Sequence, residues 1–123
     1  MNKTIKRKWL AALRSGAYDQ TAGYLHVYAS TSHHGLQPGY CCLGVLCDIA
    51  VAEGIVSHML NDRSGIVSYG ASTETGVLPR EVYLWAGLTD DNPVIGDDSR
   101  PLSGLNDEWK TFPEIADLID QYL

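Results

Sequence analysis

The sequence predicts an α+β fold, and three observations carry that prediction. Segments near both ends place apolar residues at helical spacing, and a segment in the middle is apolar nearly all round. Two short stretches, "YLHVYAS" and "GIVSYG", are rich in β-branched and aromatic residues and are bounded by turn formers. The expected architecture is about four helices around a central, buried, cysteine-rich helix. A small two- or three-stranded antiparallel sheet, built from those two stretches, lies beside them. A purely helical bundle is the alternative. At 123 residues, 45% of them hydrophobic and 20% charged, the chain has the size and composition of one globular domain, residues 1–123.

Each element has its own warrant. Residues 3 to 14, "KTIKRKWLAALR", put Ile5, Trp9, Leu10 and Leu13 on one face with lysines and arginines opposite, and Ser15-Gly16 supplies the stop. "YLHVYAS" follows as a strand and "TSHHGLQPG" as a loop. The second helix opens near Tyr40 or Cys41, after Pro38-Gly39, and closes at Gly54. Its only charges are Asp48 and Glu53, and a helix apolar all round is a buried one. Gly44 in its interior costs about 1 kcal/mol relative to alanine, which implies that another backbone passes close at that point. Asp48 on such a helix must reach water or pair, with Arg14, Arg63 or Arg80 as partners, a ligand-binding role coming second. From residue 55 to 77 only "GIVSYG" has strand character, in a small hairpin or an irregular excursion. "LPREVYLWAGL" is a short third helix, with Pro79 in its first turn, Val82 and Trp85 inward and Gly87 ending it. "TDDNPVIGDDSRP" reads as a loop. The last helix opens on Thr111 and Glu114 at capping-box spacing and puts Phe112, Ile115, Leu118, Ile119 and Tyr122 on one face.

Charge and hydropathy exclude several classes. The net charge is −6, with Lys3, Lys6, Arg7, Lys8 and Arg14 in the first helix and acids crowding the last third. A general nucleic-acid binder needs a net basic surface. The basic helix face could hold a small phosphate-bearing ligand or an acidic partner, although a solvated face is the simpler account. The longest apolar run, Cys41 to Ala52, is cut by Asp48 and is far shorter than the ~20 residues a bilayer requires. The start, "MNKTIKRKWLAALRSG", has an apolar part of only about five residues, broken by Arg14, which is too short for a signal peptide. The expectation is a cytoplasmic protein with no membrane association.

The three cysteines, Cys41, Cys42 and Cys47, admit several roles. An odd count, and adjacent residues pointing to different sides of a helix, disfavour a disulfide framework. His33, His34 and the thiols lack the paired spacing of structural zinc sites, so no metal or other cofactor is called for. Cys41 or Cys42 at a helix N-terminus could be a nucleophile, its thiolate favoured by the helix dipole. A base would then have to come from His26, His33, His34, His58, Asn106 or Asp107. The plainest reading is a buried cysteine acting as a small hydrophobe. "LNDEW" offers Asn106 and Asp107 as turn formers that could also read hydroxyl or amide groups of a ligand.

The segments "KWLAALRSGAYDQ", "GYCCLGVLCDIA", "LP", "WAGL", "LND" and "TFPEIADLID", in that order, resemble small uncharacterised proteins of tailed bacteriophages and prophages. The likeness covers about half the chain and is most specific in "YCCLGVLCD". It implies a setting in an infected bacterial cell rather than a reaction. It further implies that Arg14, Gly16, Tyr18 and Gln20, the run Tyr40 to Gly44, and Asn106 with Asp107 share one pocket. Of these, Arg14, Tyr18, Gln20, Tyr40, Cys41, Asn106 and Asp107 are the expected ligand contacts. Two functions follow as expectations. One is an accessory protein that blunts a host defence by binding a small nucleotide-like signal or a host protein, with homo-oligomerisation open. The other is a small thiol-dependent hydrolase or transferase using Cys41 or Cys42.

Overall fold

The first helix starts where Asn2 can cap it. In the computed structural model, which describes residues 1–29 and 37–123, the Asn2 side chain accepts hydrogen bonds from the Thr4 and Ile5 N–H groups at 2.9 and 3.0 Å. This satisfies donors that the first turn leaves without partners. Helix α1, Lys3–Arg14, buries Ile5, Trp9, Leu10 and Leu13. Those are the four residues whose spacing predicted it. At the other end of the chain, Thr111 and Glu114 form the expected capping box at the start of α5, Phe112–Tyr122. The two helices lie side by side: Arg14 pairs with Asp117 at 2.8 Å, and the Lys6 ammonium donates to the Asp120 carbonyl oxygen at 3.0 Å.

Helix α2, Cys42–Ala52, runs through the core, with Cys42 to Cys47 and Ala50 buried. Tyr40 belongs to a strand and Cys41 is the N-cap, its sulfur accepting from the Gly44 N–H at 3.4 Å. The backbone inferred from Gly44 is that of Leu25. A Cβ placed on Gly44 would sit 1.7 Å from the Leu25 carbonyl oxygen. That same oxygen accepts from the Cys41 N–H at 3.1 Å. Gly54, at φ +76°, follows the helix end, a conformation glycine adopts without a Cβ penalty.

The fold is α+β, as predicted, and the described residues form five helices and three small antiparallel two-stranded ladders. Strand β1, His26–Val27, pairs with β2, Gly39–Tyr40; β3, His58–Leu60, pairs with β4, Val67–Tyr69; and β5, Val94–Ile95, pairs with β6, Arg100–Pro101. A bridge between Val27 and Ile66, with the Tyr28 N–H donating to the Gly65 oxygen at 2.8 Å, joins the first two ladders. The single sheet expected from "YLHVYAS" and "GIVSYG" is instead two separate ladders that touch at this bridge, because each stretch pairs with a neighbour nearer in sequence, and only two residues of the former are strand. Helix α3 is Arg80–Trp85, after Pro79. The "TDDNPVIGDDSRP" segment, expected as loop, contains the β5–β6 ladder. "LND", expected as a turn, closes a further helix, α4, Leu102–Asp107. Both misreadings involve elements of two to six residues, too short to show a hydrophobic period. The expected loop around His33 and His34 lies outside the described residues.

One hydrophobic cluster gathers Trp9 and Leu13 from α1, Leu43 and Leu46 from α2, Val82 from α3, Leu102 from α4 and Ile115 and Ile119 from α5. Among the described residues, no helix is long and apolar enough to cross a membrane.

Replacing Gly44 with alanine should destabilise the protein by about 3 kcal/mol or more. The ordinary cost of overpacking, about 1–3 kcal/mol, is here directed against a backbone carbonyl and outweighs the gain in helix propensity. Gly76→Ala, whose Cβ would meet its nearest atom at 3.5 Å, serves as the control and should shift the midpoint of urea unfolding little.

Candidate functional site

The residues expected to share one pocket separate into two groups and an outlier. The first group surrounds Asn106, which is 0% exposed. Its Oδ1 accepts from the Cys42 N–H at 3.1 Å and from Gln20 Nε2 at 3.1 Å. Its Nδ2 donates to the Thr21 oxygen at 2.8 Å and to Asp107 Oδ1 at 3.3 Å. An asparagine amide has two donors and two acceptor sites, so this side chain is fully used. Gln20 also donates to the Lys110 oxygen at 2.8 Å, and Asp107 accepts from the Gly23 N–H at 3.0 Å. Gln20, Asn106 and Asp107 thus meet beside Cys41 and Cys42, as expected. Their hydrogen bonds tie segment 20–23, the start of α2 and the end of α4 to one another. Arg14 stands apart, ion-paired with Asp117 at 2.8 Å and Asp120 at 3.9 Å on the α1–α5 seam.

The second group is aromatic. Asp48 pairs with tyrosines rather than with the arginines suggested for it: Tyr18 donates its hydroxyl to Asp48 Oδ2 at 2.5 Å. Burial, reinforced by this hydrogen bond, pushes the Tyr18 hydroxyl pKa up. Burial pushes Tyr40 up to about 12, with the negative charge and hydrogen bond of Asp48 adding to it. The Tyr40 ring meets Tyr18 edge to face at 4.9 Å and stacks on His26 at 3.9 Å with the planes 10° apart. Tyr69, buried, places its hydroxyl 3.2 Å from His26 Nδ1. Burial depresses the His26 pKa, with the Asp48 charge opposing it, so the site favours the neutral ring.

In front of these rings lies a cavity of about 340 Å³ lined by His26, Tyr28, Tyr40, His58, Leu60 and Val67. Strand geometry explains the lining. Alternate residues of a strand share a face, so His26 with Tyr28 and His58 with Leu60 point the same way, and Tyr40 and Val67 lie across from His26 and Leu60. Tyr28, 64% exposed, leaves a ring available for stacking. Sequence reasoning singled out Tyr40 but not His26, Tyr28, His58 or Leu60 as lining residues. The available signal was the i, i+2 spacing within "HVY" and "HML". Two larger cavities lack such stacked rings: one of about 490 Å³ between β5–β6 and α5 is rimmed by charges, among them the paired Arg100 and Glu108 together with Asp98 and Lys110, and one of about 430 Å³ beside β3–β4 is lined mainly by serine, threonine and asparagine. The aromatic cavity is distinguished from them by the stacked Tyr40 and His26 and the exposed ring of Tyr28.

The thiols are buried. Cys41 is 2% exposed, and burial pushes its pKa up to about 12 despite the hydrogen bond from Gly44. Burial raises Cys42 and Cys47 well above the usual thiol range as well. A reactive cysteine needs thiolate character and access, and here burial outweighs the helix N-terminus. Among the described residues, no group of three or more His, Cys, Asp or Glu is placed to hold a metal ion.

The chain belongs to the family described as Domain of unknown function (DUF8296), which matches residues 1–123. Searches of curated proteins and of solved structures return no match.

Two outcomes follow from this geometry. Asn106→Ala should cost about 3 kcal/mol in urea unfolding, because the deserted Cys42 N–H and Thr21 carbonyl are buried and each such group costs about 1–3 kcal/mol. The raised Cys41 and Tyr40 values mean that the folded state holds these protons more tightly than the unfolded chain does. That contribution is complete below the ordinary thiol value of 9.0 and is lost as pH rises toward about 12. Thermal midpoints measured between neutral pH and that limit should fall along this window.

Proposed function

We propose that this protein is a non-catalytic accessory protein, phage- or prophage-encoded, that binds a small nucleotide-like molecule in the cavity between β1, β2 and β3 and thereby blunts a host defence. The observation that carries the binding part is the set of rings around that cavity, with Tyr40 and His26 stacked and braced from behind by Asp48 and Tyr69. Flat unsaturated ligands stack on such surfaces, at about 1–3 kcal/mol per base. The volume of about 340 Å³ falls in the range of small-molecule sites, roughly 300–1,000 Å³. The phage setting rests on the sequence resemblance. The burial and raised pKa values of all three thiols weigh against the thiol-enzyme alternative.

Native mass spectrometry, with and without a small-molecule extract of phage-infected cells, tests the reading. An added mass in the nucleotide range is expected. The unliganded mass alone, under conditions that retain a known ligand on a control protein, overturns small-molecule binding and directs attention to a host protein target. Tyr28→Ala should weaken binding of the captured molecule about tenfold or more, matching the loss of one stacking partner. The exposed position should keep its effect on unfolding within about 0.5 kcal/mol.

A further inference from the structure

We infer that the cavity recognises the uncharged base of a nucleoside through a hydrogen bond donated by His26 Nε2, and leaves any phosphate outside. The inference rests on the small-molecule binding reading above and specifies which part of the ligand is read.

The donor is fixed by a residue behind it. Tyr69 is 1% exposed, and its hydroxyl lies 3.2 Å from His26 Nδ1. A buried phenolic hydrogen requires an acceptor, and Nδ1 is the acceptor this geometry supplies. A neutral imidazole whose Nδ1 accepts carries its proton on Nε2. Stacking on Tyr40, with the ring planes 10° apart, holds the imidazole in place. His26 lines the cavity, and Nε2 is the nitrogen not engaged by Tyr69. A ligand stacked against Tyr28 and His58 would therefore meet a ring N–H directed at its edge. Purine and pyrimidine bases present in-plane ring nitrogens and carbonyl oxygens that accept such a bond.

The charge distribution excludes phosphate from the anchored part. No lysine or arginine occurs between Arg14 and Arg63, so β1, β2 and β3 contribute none. The Asp48 carboxylate sits behind Tyr40 and its charge reaches His26. Phosphate sites use arginine, lysine or the N–H groups of a helix start. At the start of α2, the Cys41, Cys42 and Gly44 N–H groups already have partners. A dianionic group would face the field of Asp48 in a chain of net charge −6.

Two measurements test the inference. Long-range proton–nitrogen NMR spectra of the free protein at neutral pH, assigned with His26→Gln, should show His26 protonated on Nε2. An Nδ1-protonated or doubly protonated ring overturns the inference. Tyr69→Phe keeps the packing and removes the lock, so both tautomers should appear and affinity should fall about fivefold or more, the loss of about one hydrogen bond. An unchanged tautomer in that variant overturns the role given to Tyr69. Calorimetric titration compares adenosine, guanosine, cytidine and uridine with their 5′-mono- and triphosphates, at about 50 and about 300 mM salt. The best nucleoside should bind within about threefold of its phosphates, with little response to salt, since no phosphate charge is neutralised. Affinity that rises tenfold with phosphate and falls with salt overturns the base readout while leaving nucleotide binding standing. Absence of binding by every nucleoside and nucleotide overturns both.

Discussion

The start of α2 is a buried helix N-terminus, and burying one is costly unless its free N–H groups find partners. Three segments supply them. Leu25 offers its carbonyl to Cys41, Asn106 its side-chain oxygen to Cys42, and Cys41 its own sulfur to Gly44. Trp9 adds a bond from its indole N–H to the Cys42 carbonyl at 2.9 Å. Helix α1, segment 20–27 and helix α4 are thereby fixed around one turn of helix. The approach of Leu25 is close enough that position 44 must lack a side chain. The adjacent cysteines serve the same end, since a small apolar side chain fits this crowding and a thiol sulfur still accepts a weak hydrogen bond.

The aromatic cavity is a consequence of that arrangement. Because Leu25 lies against Gly44, the next residues, His26 and Val27, leave the crossing as β1 and pair with Gly39–Tyr40, the residues just before the helix, and Tyr28 follows directly. Asp48, later on α2, lies within reach of the tyrosines on that side. A carboxylate on an otherwise apolar helix would be a liability without partners. Phenolic hydroxyls satisfy it without placing a cation near the cavity, so an aromatic surface forms beside a negative charge. His26 inherits its orientation from Tyr40 on one side and Tyr69 behind.

The polar residues implied to act together show how packing can divide a list. Gln20, Asn106 and Asp107 converge with Cys41 and Cys42, yet every group of the Asn106 amide is spent within the fold. Tyr18 and Tyr40 lie in the other cluster, around Asp48, and Arg14 faces α5. A polar residue that no local pattern demands can still be demanded by one backbone crossing.

The sequence by itself determined the elements whose forces are local or periodic. The amphipathic stripe of α1, the capping box of α5, the all-round apolar character of α2 and the close approach at Gly44 are each legible within a window of a dozen residues. The β part of the α+β class rested on composition alone, the β-branched and aromatic residues of "YLHVYAS" and "GIVSYG". Tertiary structure alone decided the rest, because the partners lie far apart in sequence. The tyrosine partners of Asp48, the buried role of Asn106 and the meeting of Tyr28, Tyr40 and His58 on one face depend on where strands of two or three residues are carried. Such short strands have too little period to announce themselves. Their positions are set by the hydrogen bonds that the core helix requires at its buried end.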